Sequence, residues 1–327
     1  MMDISVIVPL FNEAESLPEL AAWIARVMEE HSFSYEVIMV DDGSTDGSWE
    51  CVRDLSQKNP AVHGIRFRRN YGKSAALYCG FEKAQGEVVF TMDADLQDSP
   101  DEIPEMYRMV TEDGYDLVSG WKQHRKDNKL TKNLPSKLYN ATARKITGIK
   151  LHDMNCGLKA YRKEVVKSIE VYGEMHRYIP YLAKNAGYTK IGEKPVHHEK
   201  RKYGKSKFGM NRFVNGFLDL MSLWFLSTFG KKPMHFFGYS GLAMFLVGFV
   251  MTIWIIVQKM VLQARDYNLR MAGEAGVKFR PVTEQPLFYL ALVALVLGVI
   301  LFLAGFIGEM IARSSGERNK YNIKEEL

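Results

Sequence analysis

Cysteine is scarce in this chain: three in 327 residues, Cys51, Cys79 and Cys156, an odd number with no C-x-x-C spacing. That excludes a disulfide frame and a zinc site of the usual spacing, and it suits a reducing compartment. Neither sign of charge dominates, with 43 Lys and Arg against 38 Asp and Glu. The formal net charge of +5 suits anionic ligands or a membrane surface and does not imply nucleic acid. The N-terminus has no basic n-region, and Pro9 breaks the apolar run from Ile4 to Leu10, so no secretory signal is expected. Internal repeats and low-complexity tracts are missing. The turn from Pro9 to Leu17 contains no glycine, which rules out the dinucleotide-binding fingerprint. Gly72-Lys73-Ser74 and Gly204-Lys205-Ser206 end like a phosphate loop, but Phe67 and Glu199 stand where its leading glycine belongs.

What is present divides into two unlike parts, which the mean hydropathy of −0.17 averages. Up to about residue 230 the pattern is that of a charged globular domain, and two long apolar runs follow. Ile4 to Val8 reads as a buried strand, followed by a helix from about Glu15 to His31 with Leu17, Leu20, Ile24 and Val27 on one face. Tyr35 to Val40 is a second strand and ends in Asp41-Asp42-Gly-Ser-Thr-Asp46. Gly64 to Arg68 is a third, leading through Asn70 into a helix that runs to about Ala84. Val88 to Met92 is a fourth, ending in Asp93-Ala94-Asp95-Leu-Gln97-Asp98, and Asp116 to Ser119 a fifth. Strands alternating with helices predict a largely parallel α/β sheet.

Ligands of such sheets bind beyond the strand carboxyl ends. Here those ends carry Glu13, Asp41, Asp42, Asn70, Asp93 and Asp95. In an extended chain, alternate residues face the same side, so Asp93, Asp95 and Gln97 are expected to converge. Two carboxylates and an amide oxygen beside substrate phosphates are the ligand set of a hard ion such as Mg2+ or Mn2+. The plainer alternative is a solvated strand exit. Gly43 and Ser44 are expected to form a turn and Asp46 to cap the helix that starts near Gly47; Asn70 reads as a cap or a ligand.

Ser5-Val-Ile-Val-Pro-Leu-Phe-Asn-Glu13, Val40-Asp-Asp-Gly-Ser-Thr-Asp46, Asn70-Tyr-Gly-Lys73 and Met92-Asp-Ala-Asp-Leu-Gln-Asp98 together resemble the family 2 glycosyltransferases of the GT-A fold. The branch most resembled is the polyprenyl-phosphate glycosyltransferases, dolichyl-phosphate mannosyltransferase-like, over nearly the whole chain. The resemblance implies that Pro9, Phe11, Glu13 and Asp41 hold the nucleoside. It places Asp42, Asn70, Lys73, Asp93 and Ala94 along the rest of the donor, and Asp93, Asp95 and Gln97 on the metal. His152-Asp-Met-Asn-Cys-Gly-Leu-Lys159 is similar to the family's acceptor-side motif, with Leu158 and Lys159 where Phe and Arg are commoner. Asp153 is the candidate for orienting or activating the acceptor, alongside Asp95 as the second catalytic carboxylate. Trp121-Lys-Gln-His-Arg125 lies where relatives carry two arginines; Arg125 matches, and Lys122 would supply a point charge. The basic stretch from Lys200 to Phe208 resembles a mobile loop, so Arg201, Lys205 and Ser206 join Arg125 and Lys159 as acceptor-phosphate ligands.

A phosphate acceptor has a physical logic. A phosphate monoester has its second pKa near ~6 and is already largely dianionic at pH 7, so no base is needed to make it nucleophilic. The implied reaction moves a hexose, with inversion, from a nucleotide diphosphate sugar to polyprenyl (undecaprenyl) phosphate for cell-envelope glycan modification. UDP-glucose or a UDP-N-acetylhexosamine is the expected donor, with GDP-mannose as the alternative. A polysaccharide synthase would call for a Q-x-x-R-W element and more spans. A non-enzymatic tether would not require the intact Asp93 and Asp95.

Residues 209–233 form an amphipathic juxtamembrane segment, with Phe213, Phe217, Leu220, Met221, Trp224 and Phe225 on one stripe. About 238–257 and 287–307 are each uncharged and near the ~20 residues needed to cross a bilayer. The expected organisation is a cytoplasmic GT-A domain at 1–208, a two-span hairpin within 234–312 and a cytoplasmic tail at 313–327. Nucleotide-sugar supply and unpaired cysteines put the catalytic domain on the cytoplasmic side of the inner membrane. Gly298, Gly305 and Gly308 suit close helix packing, and a homo-oligomer is expected. Nothing in the sequence accounts for the loop 258–286.

Overall fold

The computed structural model describes residues 2–123, 144, 147–173, 175–199, 202–203, 225, 233–273, 275–276, 281–314 and 323–326. It divides into two compact units, Met1–Trp224 with Glu317–Leu327, and Phe225–Gly316.

The first unit is built on one mixed sheet. In chain order its elements begin β1 (Ile4–Leu10), α1 (Leu17–Glu30), β2 (Tyr35–Asp41), α2 (Ser48–Lys58), β3 (Val62–Phe67), α3 (Lys73–Lys83) and β4 (Val88–Thr91). They continue with α4 (Ile103–Thr111), β5 (Leu117–Trp121), β6 (Lys159–Arg162), α5 (Lys163–Ser168), α6 (Ile179–Asn185) and β7 (Ile191–Pro195). A last strand, β8 (Ile323–Glu326), follows the apolar helices. Among the described residues the sheet order is β7-β5-β6-β4-β1-β2-β3-β8. β1 pairs in parallel with both β2 and β4, setting Ile4 opposite Tyr35 and Val88. β6 runs antiparallel to β4 and β5, and β8 antiparallel to β3.

Both faces of the sheet are buried, which is why the strands read as nearly continuous apolar runs. Ile4, Val6 and Val8 pack with Leu20 and Ile24 of α1, Trp49 of α2 and Met106 of α4. Ile7, Ile38 and Val40 point the other way, onto Ala76, Leu77 and Phe81 of α3. With β6 and β8 reversed, their amino ends share an edge with the carboxyl ends of all the other strands. That edge is where the acidic residues collect.

The five predicted strands and the helices between them are present, with shifted ends: β3 starts at Val62, and α1 starts at Leu17 with a proline in its first turn. β6, β7 and β8 carry no apolar alternation in sequence and were not anticipated. β8 (Ile-Lys-Glu-Glu) shows how little pattern an edge strand needs when its partner supplies the register.

The second unit is a pair of helices, α7 (Pro233–Met271) and α8 (Pro286–Ser314), both long and apolar enough to cross a membrane. Phe249, Trp254, Ile300 and Leu303 are exposed along them, as a lipid-facing surface requires. The expected first span, about 238–257, lies inside a longer helix. The helix continues past residue 257 to Met271, carrying Lys259, Arg265 and an Arg270–Asp266 ion pair at 2.9 Å. At 39 residues it is about 58 Å long, far more than a bilayer core needs.

The two helices meet through glycine. A Cβ on Gly298 would lie 2.7 Å from the Phe245 nitrogen and 2.8 Å from the Gly241 carbonyl oxygen. One on Gly241 would lie 2.7 Å from the Gly298 oxygen, and Gly305 faces Phe237 in the same way. Gly298→Leu is therefore expected to force the backbones apart at a cost of about 1–3 kcal/mol. Unfolding titration in mixed micelles reads this, and Val299→Leu, on the exposed side, should be silent. The amphipathic segment 209–233 lies outside the described residues apart from Phe225 and Pro233.

Candidate active site

The site edge begins with two interlocked turns. Beyond β1, Asn12 takes a left-handed conformation (φ 56°) and its backbone N–H donates to Ser44 Oγ at 2.8 Å. Thr45 N–H returns a bond to Asn12 Oδ1, and Glu13 N–H donates to Ser48 Oγ at 2.9 Å. Asp46 Oδ1 accepts from Ser48 N–H and its hydroxyl, the capping role read from sequence. Gly43 (φ 75°) lies so close to the β3 exit that a Cβ would meet the Arg69 carbonyl carbon at 2.6 Å. Pro9, Phe11 and Glu13 are left half-buried along this double turn.

Asp41 and Asp42 close β2. Asp41 is fully buried and its Oδ1 accepts from Ser44 N–H at 2.8 Å; Arg66 Nε lies 3.5 Å from Oδ2. Burial pushes its pKa up, and Ser44 and Arg66 offset only part of that. Asp42 accepts the backbone N–H of Tyr71 at 2.6 Å and of Gly72 at 2.9 Å. Burial nonetheless pushes its pKa up to about 6. Asp42 so holds the loop that delivers Lys73. Asn70 is exposed and does not cap α3, whose cap is Gly72.

The raised Asp42 pKa fixes the sign of a pH effect. The folded state holds this proton more tightly than the unfolded chain, whose Asp titrates near ~3.9. The stability it lends is complete below about pH 4 and is lost as pH rises through about 6. Asp42→Ala is therefore expected to cost about 2 kcal/mol more at pH 4.5 than at pH 7.5, measured by denaturant unfolding.

The acidic segment after β4 corrects one expectation. The strand ends at Thr91, and residues 93–97 form a turn with Leu96 left-handed (φ 58°), not an extended chain. The alternation survives through the turn: Asp93, Asp95 and Gln97 are half-exposed, while Ala94, Leu96 and Asp98 are buried. Asp95 Oδ1 accepts from Gln97 N–H at 3.2 Å. Lys73 Nζ, from the first turn of α3, donates to Asp93 Oδ1. Burial would raise the Asp93 pKa, but Lys73, then Lys122 and Lys159, hold it down to about 2.

The antiparallel strand β6 brings Lys159 to the same edge. Its ammonium is buried (4% exposed) and donates to the Cys156 carbonyl; burial lowers its pKa. Gly157 sits directly over Asp93, where a Cβ would fall 2.6 Å from the carboxylate carbon. Asp153 is buried and accepts from Asn155 N–H at 3.0 Å, so it shapes the turn that presents Cys156 and Gly157. Lys122, at the exit of β5, sits 2.7 Å from Asp98 Oδ1 in a buried ion pair behind the acidic turn. Burial opposes the Lys122 charge, but Asp98 overrides it and raises the pKa.

The structure thus gathers Asp41, Asp42, Lys73, Asp93, Ala94, Asp95, Gln97, Asp153 and Lys159 along one sheet edge with Pro9, Phe11 and Glu13. Arg125, Arg201, Lys205 and Ser206 lie outside the described residues. Sequence reasoning missed Glu193, whose Oε1 accepts both His152 and Asp153 N–H. It also missed His176, which lies in a stretch without pattern and interacts electrostatically with Lys73, Arg177, Asp93 and Lys159. Gly157 stood inside a motif, but nothing in the sequence showed what it touches.

The acidic turn fits a hard divalent ion. Its donors are two carboxylates and an amide oxygen, all half-exposed. Among the described residues no three His, Cys, Asp or Glu side chains form a closed cage. Ions such as Mg2+ or Mn2+ accept few protein ligands and fill the rest from water and phosphate.

This sheet, with an acidic turn after its fourth strand, is that of a GT-A glycosyltransferase with two apolar helices following. Residues 5–170 match the description Glycosyl transferase family 2. The chain is 34% identical over 315 residues to dodecaprenyl-phosphate galacturonate synthase of Rhizobium johnstonii, covering 96% of this chain and 88% of that protein. It is 36% identical over 262 residues to undecaprenyl-phosphate 4-deoxy-4-formamido-L-arabinose transferase of Aeromonas hydrophila, covering 80% and 78%. The fold is also like that of Mycobacterium tuberculosis glucosyl-3-phosphoglycerate synthase in complex with Mn2+ and UDP-glucose. There the TM-score is 0.51 at 18% identity, over 69% of this chain and 79% of the other. The chain belongs to glycosyl transferase family 2.

Proposed function

We propose that this protein transfers a hexose from a nucleotide diphosphate sugar to polyprenyl phosphate at the cytoplasmic leaflet of the inner membrane, inverting the anomeric centre. The observation that carries the reading is the order of charges along the sheet edge. Asp41 and Asp42 stand at the end of β2, the Lys73–Asp93 pair beside the end of β4, and Lys159 at the start of β6. A donor with its nucleoside at Pro9, Phe11, Glu13 and Asp41 would run its diphosphate past Lys73 and the acidic turn. That leaves the sugar and the attacking phosphate toward Lys159. The names of the Rhizobium and Aeromonas relatives support a polyprenyl-phosphate acceptor.

Asp93, Asp95 and Gln97 would hold the divalent ion, which supplies charge neutralisation for the departing nucleoside diphosphate. The other tasks belong to the chain. Lys73 places a positive charge at the diphosphate. Lys159, with Arg125, Arg201, Lys205 and Ser206, receives the acceptor phosphate, which attacks the anomeric carbon directly. Asp153 holds the turn that faces it. Since the dianionic phosphate is its own nucleophile, no residue here has to remove a proton. The domain boundaries 1–208, 234–312 and 313–327 and a homo-oligomeric assembly belong to the same proposal.

The test is a panel of labelled nucleotide sugars offered with undecaprenyl phosphate and Mg2+ or Mn2+, following label into the organic phase. One donor should transfer, giving a product of inverted anomeric configuration by NMR. Label that enters no lipid from any donor, or that keeps the donor's configuration, sinks the reading.

A further inference from the structure

Ser74 follows Lys73 in the first turn of α3 and is buried. Its hydroxyl oxygen accepts the backbone N–H of His176 at 3.0 Å and lies 3.1 Å from the ring Nδ1 of the same residue, 102 positions along the chain. A hydroxyl that accepts from the backbone still has its own proton to give, and Nδ1 is the acceptor in reach. The ring proton then resides on Nε2. Burial disfavours the imidazolium, and so do Lys73, Arg177 and Lys159. A charged ring would add one more cation to a neighbourhood that already holds three.

His176 therefore grips α3 at the residue next to Lys73 and brings no charge with it. The one-turn helix that carries it, Met175–Tyr178, packs on α3. Lysine needs such help, because a four-carbon stem with about 2 kcal/mol of rotamer entropy does not aim itself. The far end of that stem is the ammonium that donates to Asp93.

We infer that His176 is a positioning residue for Lys73: through Ser74 it fixes the first turn of α3, so that the Lys73 ammonium stands ready at the donor diphosphate. The inference rests on reading the site as one for a nucleotide diphosphate sugar.

The experiment uses the full-length enzyme in detergent, with donor and acceptor KM measured separately and UDP and GDP binding measured by calorimetry. His176→Ala is expected to raise donor KM and weaken binding of the nucleotide used by about tenfold, the loss of a hydrogen-bonded link. Acceptor KM should stay within about twofold. His176→Asn, which keeps an acceptor near the Nδ1 position, should recover most of the loss. In a Lys73→Ala background, His176→Ala should add nothing, because a residue acting through Lys73 has nothing left to aim. Equal losses in both backgrounds, or a rise confined to acceptor KM, overturn the inference. If His176→Ala does not fold, Ser74→Ala cuts the same link from the other side, and wild-type donor KM in that variant also overturns it. A wild-type enzyme that binds nucleotide but loads no polyprenyl phosphate sinks the proposed function alone, since the calorimetric comparison still reads the link.

Discussion

Asp95→Ala is expected to lower turnover by at least about 10³-fold while the protein stays folded. The side chain is half-exposed, so its truncation opens no cavity in the core, and its Oδ1 bond to Gln97 N–H at 3.2 Å is local to the turn. On the proposed reading it is one of two carboxylates that would hold the ion, and that ion would neutralise the leaving group. Losing about 4 kcal/mol of such charge stabilisation corresponds to about three powers of ten in rate. Nucleotide binding in the absence of metal should change little, and the metal dependence of binding should weaken. Turnover near the wild-type rate would take Asp95 out of the machinery.

Gly157→Ala is expected to be nearly as severe, by a different route. The added methyl would sit 2.6 Å from both the Asp93 carboxylate carbon and Oδ2. It cannot retreat easily, because the Gly157 carbonyl accepts from Thr91 Oγ1 at 2.8 Å and is tied to the end of β4. The side chain that can move is Asp93 itself, whose carboxylate would rotate away from Lys73. Stability should fall by about 1–3 kcal/mol, as in ordinary overpacking. Transfer should fall by about 10² or more, since reacting groups displaced by an ångström lose rate on that scale. Activity measured beside a thermal melt separates the two effects. A stable variant with full activity would show that Asp93 does not need its place under Gly157.

Much of this protein was legible along the chain. The parallel core strands show as Val- and Ile-rich runs because both sheet faces are covered. Asp41, Asp42, Asp93 and Asp95 show because each stands where such a run stops. Long uncharged stretches announce the apolar parts of α7 and α8 for a similarly local reason: their length and composition are those that crossing a bilayer requires. Asp46 was legible as a cap because its partner, Ser48, is two residues away.

Other features were decided only when distant segments met. Asp93, Asp95 and Gln97 stay half-exposed through a turn at Leu96, a conformation no hydrophobic period encodes. β8 and β6 take their register from partners already in the sheet. Lys122, read from sequence as a point charge where relatives carry an arginine, lies in a buried pair with Asp98. Gly157 over Asp93, and His176 against Ser74, depend on segments remote in the chain: the Thr91–Gly157 bond joins residues 66 positions apart and the Ser74–His176 bond residues 102 apart. A strand or a membrane helix is specified by neighbours in sequence, and these residues took their roles from neighbours in space.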